Sequence, residues 1–221
     1  MKLLDKENIL YLDNHIIVVE KEANLLTQPN DGEDISLEDM VKSWLKLECK
    51  KPGNVFLHAI HRLDKEVSGL VLFARTSKAL SRLNEEMRKQ KIERYYLAKV
   101  EGVIFPKNGT LSHYLKHESY RASVVSRQHS GAKEAILEYE ILDHSGDIST
   151  LKIKLLTGRY HQIRAQLAAI GHPIIGDKKY GSNKDNSRIL LHHYVIKFIH
   201  PITKEFLEIK SKCWGVATLS A

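Results

Sequence analysis

The densest run of chemistry-bearing residues is HAIHRLDKEVSGL, residues 58–70, which sets His58, His61, Arg62, Asp64, Lys65 and Glu66 between apolar stretches. Polar groups leading into a buried segment cost free energy unless they pair or do chemistry. The run therefore reads either as a capping aspartate ahead of a surface loop or as a reactive site. A second cluster, LLTGRYHQIRAQLAAIGHPIIGDKKYG at 155–181, carries Arg159, His161, Gln162 and Arg164 in what reads as the first turns of a helix. There Arg159, His161 and Gln162 can meet phosphates or sugars, because a helix N-terminus favours anions. Arg164 stands one turn further on and can turn inward to meet a carboxylate. An amphipathic helix with a solvated basic face gives the same pattern.

Other chemistries find little support. His58 and His61 are three apart, His113 and His117 four apart, and His192 and His193 adjacent, with no H-E-x-x-H and no cysteine pair at zinc spacing. No metal is expected. Gly158, Gly171 and Gly176 match neither the Walker pattern nor a G-x-G-x-x-G after a strand, and Ser68-Gly69 lacks the context of a nucleophile elbow.

The elements that must position these clusters follow from periodicity. Residues 8–20 read as two short strands around an Asp13-Asn14 turn, and 28–36 as a polar loop. Ser36 caps a helix carrying Leu37, Met40, Val41, Trp44 and Leu45, which ends at 50–54. A buried strand at 70–74 leads to a second helix, capped by Ser77, with Leu80, Leu83 and Met87 inward. Strands are expected at 94–101, 123–125, 135–142, 150–156, 189–199 and 205–209, with a turn at 106–109. A third helix spans 157–171, with Thr157 near its N-cap and Gly171 just past its C-terminus. Many strands and about three helices predict an α+β domain with mixed, mostly antiparallel central sheet, flanking helices and a cleft.

Composition sets the outer limits. The chain has 221 residues, 43% hydrophobic and 28% charged, enough for one domain without staples. Its apolar runs are too short to span a bilayer, and the acids in MKLLDKENILYLD exclude a signal peptide. Two cysteines, Cys49 and Cys213, make no disulfide framework and suit a cytoplasmic protein. A net charge of +7 favours a polyanion partner through counterion release.

Four motifs together resemble the RluA-type pseudouridine synthases. HRLDKEVSGL (61–70) is similar to their H-R-L-D-x-x-T-S-G-L, and RYYLAKVEG (94–102) to their K-x-Y-x-A-x-V-x-G strand. TGRYHQIRAQLAAIGHPIIGDKKYG (157–181) resembles their T-G-R-x-H-Q-I-R-x-H helix and G-x-P-I-x-G-D-x-x-Y-G, and LLHHYVIKFIHPITKEFLE (190–208) their closing strands. ILYLDNHIIVVEKEANLL (9–26) and GAKEAILEYEIL (131–142) also fit. Departures are Glu22 for Pro, Val67 for Thr, Arg94 for Lys, Gln166 for His and His193 for Ala.

The resemblance implies one catalytic domain over 1–221, with two sub-lobes sharing one sheet. The family's optional N-terminal S4 RNA-binding domain is expected to be missing, since the match starts at about residue 9. The resemblance also implies isomerisation of a uridine in rRNA or tRNA, without cofactor, metal, membrane or obligatory protein partner, by a monomer. Asp64 is then the catalytic carboxylate, attacking C1′ or removing the C2′ proton. Arg164 is its counter-charge, and Tyr96 stacks on the detached uracil, its hydroxyl available for proton removal at C5. Ile163 floors the base, Arg62 fills the vacated stack, and His61, Arg159, His161 and Gln162 are backbone contacts.

Overall fold

The computed structural model describes residues 4–32, 34–50 and 52–212, so Cys213 and the first three residues of the N-terminal stretch lie outside the described residues. In chain order the strands and helices are β1 (Ile9–Leu12), β2 (Ile16–Lys21), α1 (Leu37–Glu48), β3 (His58–Ala59), β4 (Ser68–Ala74), α2 (Ser77–Arg88), β5 (Glu93–Glu101), β6 (Asn108–His117), β7 (Ala122–Val125), β8 (Lys133–Ser145), β9 (Ile148–Leu155), α3 (Gln162–Ala169), β10 (Leu191–Ile199) and β11 (Phe206–Lys210). The class is α+β. The chain divides into two compact units, one of residues up to 92 with 194–212, the other of residues 93–193.

In the first unit β2 pairs antiparallel with β1 and β4, β3 pairs with β4, and β11 with β10. Every residue of β2 and β4 is buried. Strands covered on both faces read as unbroken apolar runs, which is why IIVV and LVLFA stand out in the sequence. Asp13 makes the β1–β2 turn by accepting from the His15 and Ile16 amides, each at 2.8 Å. α1 starts on a capping box, in which Ser36 Oγ accepts from Asp39 N and the Asp39 carboxylate accepts from Ser36 N. The cap of α2 is Thr76, one residue before the expected Ser77, because its extended backbone lets its hydroxyl accept from Ala79 N. Leu83 is fully buried and Leu80 and Met87 partly so, against Ile16, Val18, Leu70, Leu72, Ile196 and Phe198.

The second unit is a sheet in the order β5-β9-β8-β6-β7, antiparallel throughout. β8 alternates, with Ala135, Leu137, Tyr139 and Ile141 inward. Gly109 on β6 makes room for the Tyr139 ring, since a Cβ there would lie 2.8 Å from the Tyr139 hydroxyl and the ring would have to shift. The turn expected at 106–109 gives way to β6 from residue 108 onward. β6 itself was not foreseen: in NGTLSHYLKH only Leu115 is buried, so the strand carries no apolar alternation.

α3 is shorter than the sequence suggests. Thr157 is not its cap; its hydroxyl bonds the Gln162 amide oxygen at 2.8 Å and receives Ile136 N at 2.8 Å. Those bonds fold 157–161 into a turn that ends on His161 at φ 49°, and the helix begins only at Gln162. Arg159 and His161 therefore precede the helix rather than lying in its first turns. The C-terminus is as expected, with Gly171 at φ 83° and His172 N donating to Leu167 O at 3.0 Å. Among the described residues no helix is long and apolar enough to cross a membrane.

Candidate functional site

In the first unit, the loop carrying Asp64 runs from β3 to β4 and is fastened at several points. Ile60 N donates to Leu72 O at 2.9 Å, and Leu72 N donates to His61 Nε2 at 3.3 Å. His61 is 9% exposed, so its ring is a brace of the loop as much as a surface group. The Thr27 hydroxyl accepts from Leu63 N at 3.1 Å and donates to Leu63 O at 2.9 Å, clamping the residue before Asp64. Thr27 is itself held by α1, because Leu37 N and Glu38 N donate to Leu26 O and Thr27 O. Val67 N closes a turn onto Asp64 O at 3.1 Å. Asp64 is half-buried and Arg62 exposed.

Beneath the loop lies Lys21, 0% exposed. Its ammonium donates to the carbonyls of Glu22 (2.9 Å), Leu25 (2.7 Å) and Lys65 (3.0 Å). Burial pushes its pKa down to about 8, against the opposing pull of the Asp64 and Glu66 carboxylates. A buried cation tied to Lys65 O fixes the backbone next to Asp64 and adds positive potential there.

In the second unit, Tyr96 sits on β5 at 5% exposure, its ring stacked on His193 with centroids 4.6 Å apart and planes 19° off parallel. Arg164 is 1% exposed and forks onto Asp177, Nε to Oδ2 at 2.6 Å and Nη2 to Oδ1 at 2.9 Å. This bidentate geometry is the strong form of the pair. Arg164 Nη1 points at His161 Nε2 at 3.2 Å, and its guanidinium lies 5.2 Å over the Tyr180 ring. Because a guanidinium only donates, His161 Nε2 must accept, and the neutral ring carries its proton on Nδ1. That Nδ1–H meets the Tyr180 oxygen at 3.0 Å, which also accepts from Ala122 N (2.8 Å) and donates to Ala122 O (3.2 Å).

The expected site residues thus divide by unit and by environment. The first unit holds His61, Arg62 and Asp64; the second holds Tyr96, Arg159, His161, Gln162, Ile163 and Arg164. Gln162 is 3% exposed, its oxygen taking Arg159 N and Thr157 Oγ1 and its nitrogen donating to Ile136 O. Gln162 and His161 are bracing groups, with their side-chain polar atoms bonded inside the unit. Ile163 is buried at 5%. Arg159 is exposed, its Nε donating to Glu134 O at 2.8 Å. Sequence reasoning missed Lys21, Thr27, Asp177 and Tyr180 as parts of these frameworks. Asp177 and Tyr180 stood in the GDKKYG run, and Gly176 before them has φ 82° with Arg188 O where a Cβ would be.

A cavity of about 350 Å³ opens elsewhere on this unit, lined by Tyr95, Glu138, Glu140, Lys152 and Lys154. Neighbouring residues of a strand face opposite ways, so Tyr95 points away from Tyr96. Its lysines are already paired, Lys154 with Glu93 and Lys152 with Glu140. Among the described residues no group of three His, Cys, Asp or Glu side chains could hold a metal ion.

Comparison with known proteins follows the same lines. The family described as RNA pseudouridylate synthase matches residues 15–169. An uncharacterized RNA pseudouridine synthase of Bacillus subtilis is 32% identical over 208 residues, 90% of this chain and 66% of that one. Ribosomal large subunit pseudouridine synthase D of Haemophilus influenzae is 31% identical over 219 residues, 91% of this chain and 65% of that one. The chain therefore spans just under two thirds of the length of these curated relatives. Human RNA pseudouridylate synthase domain containing 1 superposes with TM-score 0.75 at 26% identity, covering 96% of this chain and 86% of that one. Domain containing 4 superposes with TM-score 0.79 at 21% identity over 93% and 88%, a likeness of fold.

Proposed function

The chain belongs to the RNA pseudouridylate synthase family, and from that premise we propose that it isomerises a uridine within an RNA chain to pseudouridine, with Asp64 as the catalytic carboxylate. The observation that carries the reading is the loop around Asp64: HRLDKEVSGL is pinned by Thr27 on one side and by the buried Lys21 ammonium on the other. Elaborate fastening of a half-buried carboxylate is what a reacting group needs, since a small misplacement costs orders of magnitude in rate.

The reaction breaks the C1′–N1 bond, turns the base and joins C1′ to C5, with loss of the C5 proton and gain of one at N1. Nothing is oxidised or reduced, so the reading requires no cofactor, metal or protein partner. Asp64 either attacks C1′ or removes the C2′ proton. Tyr96 offers a ring to the detached uracil and a hydroxyl for the late proton step, and Ile163 an apolar surface on which a base turns without breaking hydrogen bonds. Arg164 counters the carboxylate's charge by its place in the motif. Arg62, exposed, fills the space of the everted base, and Arg159 rather than His161 or Gln162 is the phosphate contact of its segment. His61 serves mainly by holding the loop. Relatives named for the large ribosomal subunit favour rRNA over tRNA as substrate. A monomer in the cytoplasm is the simplest working form.

Asp64→Asn keeps the side chain's size and removes its charge. RNA treated with the variant should show no carbodiimide-labelled pseudouridine, while RNA binding stays close to wild type. Undiminished conversion by Asp64→Asn would remove the residue from the mechanism.

A further inference from the structure

We propose that the ring column His117–Tyr160–His161 in the second unit is a stacking platform for an unpaired nucleotide of the RNA, outside the uridine that reacts. The inference rests on the RNA reading above and adds a site to it. His117 closes β6, and its ring leans on that of Tyr160 at 4.2 Å and 51°, while the Tyr160 ring stacks on that of His161 at 3.9 Å and 18° to parallel. Tyr160 is 39% exposed and His117 is also exposed, so one end of the column is buried and the other is wet. A buried end and a wet end suit an aromatic group that receives something flat.

The buried end of the column is fixed before anything binds. His161 is fixed by Arg164 and Tyr180 through both ring nitrogens. The Tyr180 hydroxyl also grips Ala122, the residue paired with His117 across the β6–β7 hairpin. Rings already held lose little rotamer freedom on binding, so contact with them is not offset by ordering.

Charge selects the occupant. Residues 107–134 carry five cations, Lys107, Lys116, Arg121, Arg127 and Lys133, against Glu118 and Glu134. Arg159, exposed, immediately precedes Tyr160. Rings about 4 Å apart amid excess positive charge suit a base and its phosphate, the combination that sequence-tolerant single-strand binders use. Bases inside a duplex are already stacked on each other and offer no face.

The test uses the full chain and two fluorescent probes, a single-stranded RNA of mixed sequence and the duplex of the same sequence, read by anisotropy. His117→Ala and Tyr160→Ala should each weaken single-strand binding roughly tenfold and leave duplex binding within about twofold. His117→Phe and Tyr160→Phe keep a ring and should stay within about twofold of wild type on both probes, which separates stacking from misfolding. Alanine variants that bind the single strand as tightly as wild type overturn the platform while leaving the RNA reading intact. Equal losses on both probes, or displacement of the single strand by polyglutamate as readily as by RNA, also overturn it, marking a general charge surface. A wild-type chain that binds neither probe overturns the RNA reading itself, and the platform with it.

Discussion

Replacing Asp177 by Asn tests the second unit's framework most directly. Arg164 and Asp177 are each 1% exposed and joined by two hydrogen bonds of 2.6 and 2.9 Å. Asn keeps one acceptor but turns the other oxygen into an NH2 that faces a guanidinium N–H. The buried Arg164 charge then loses its bidentate carboxylate, keeping the His161 nitrogen at 3.2 Å and the Tyr180 ring at 5.2 Å among its remaining contacts. Removing one partner's charge from a buried, bidentate ion pair costs about 3–5 kcal/mol. Against a total stability on the order of 5–15 kcal/mol the loss is a large fraction. It should lower the melting temperature by roughly 10 °C in a chain of this size.

The assay is thermal and urea denaturation of wild type, Asp177→Asn and the double replacement Arg164→Met with Asp177→Leu. The double variant removes both charges and fills the volume with apolar groups, which for buried pairs is often neutral. It should regain most of the lost stability yet form no pseudouridine, separating the arginine's part in the fold from its part in the reaction. A change below about 1 kcal/mol in Asp177→Asn would refute the reasoning, because the Arg164 charge would then be compensated without Asp177.

Three further outcomes follow from the geometry. Thr27→Val keeps shape and removes both bonds to Leu63, so it should cost about 2 kcal/mol in urea denaturation and slow conversion; an unaffected rate would show that the clamp does not position Asp64. Tyr96→Phe should bind RNA as wild type does but convert uridine roughly a hundredfold more slowly, or more; normal single-turnover rates would take the hydroxyl out of the mechanism. Lys21 gives up its proton near 8 when folded and near 10.5 when unfolded, so between those values the unfolded chain holds more protons and this group adds stability as pH rises. From about pH 7.5 to 9.5 wild type should gain about 2 kcal/mol relative to Lys21→Met, and parallel pH curves for the two proteins would contradict the depressed value.

How far the sequence could be read depended on whether a residue's surroundings leave a mark on its neighbours. β2 and β4 were legible because burial on both faces forces unbroken apolar runs. α1 was legible because its capping box sits ahead of helical spacing. β6 left no such mark: it lies next to the short edge strand β7 and buries one residue. The N-terminus of α3 misled for another reason. Thr157 looks like a cap, but its partner is the side chain of Gln162, and the left-handed turn at His161 has no glycine to announce it. Lys21 reads as the charged end of a strand, and nothing in one dimension reveals that three carbonyls converge on it.

The TGRYHQIR segment shows why residue type alone misplaces a binding surface. Read as a helix start, Arg159, His161 and Gln162 face one anion together. Folded, Thr157 and Gln162 bond each other, and His161 is locked as a neutral ring between Arg164 and Tyr180. Only Arg159 and Tyr160 of the segment's larger polar side chains remain exposed. One cation and one ring can orient a strand but supply little of the counterion release that dominates RNA affinity. On the proposed RNA reading the rest of that term falls to other cations of the unit, of which Lys107, Lys116, Arg121, Arg127 and Lys133 cluster at 107–134 and make the edge hairpin the expected contributor.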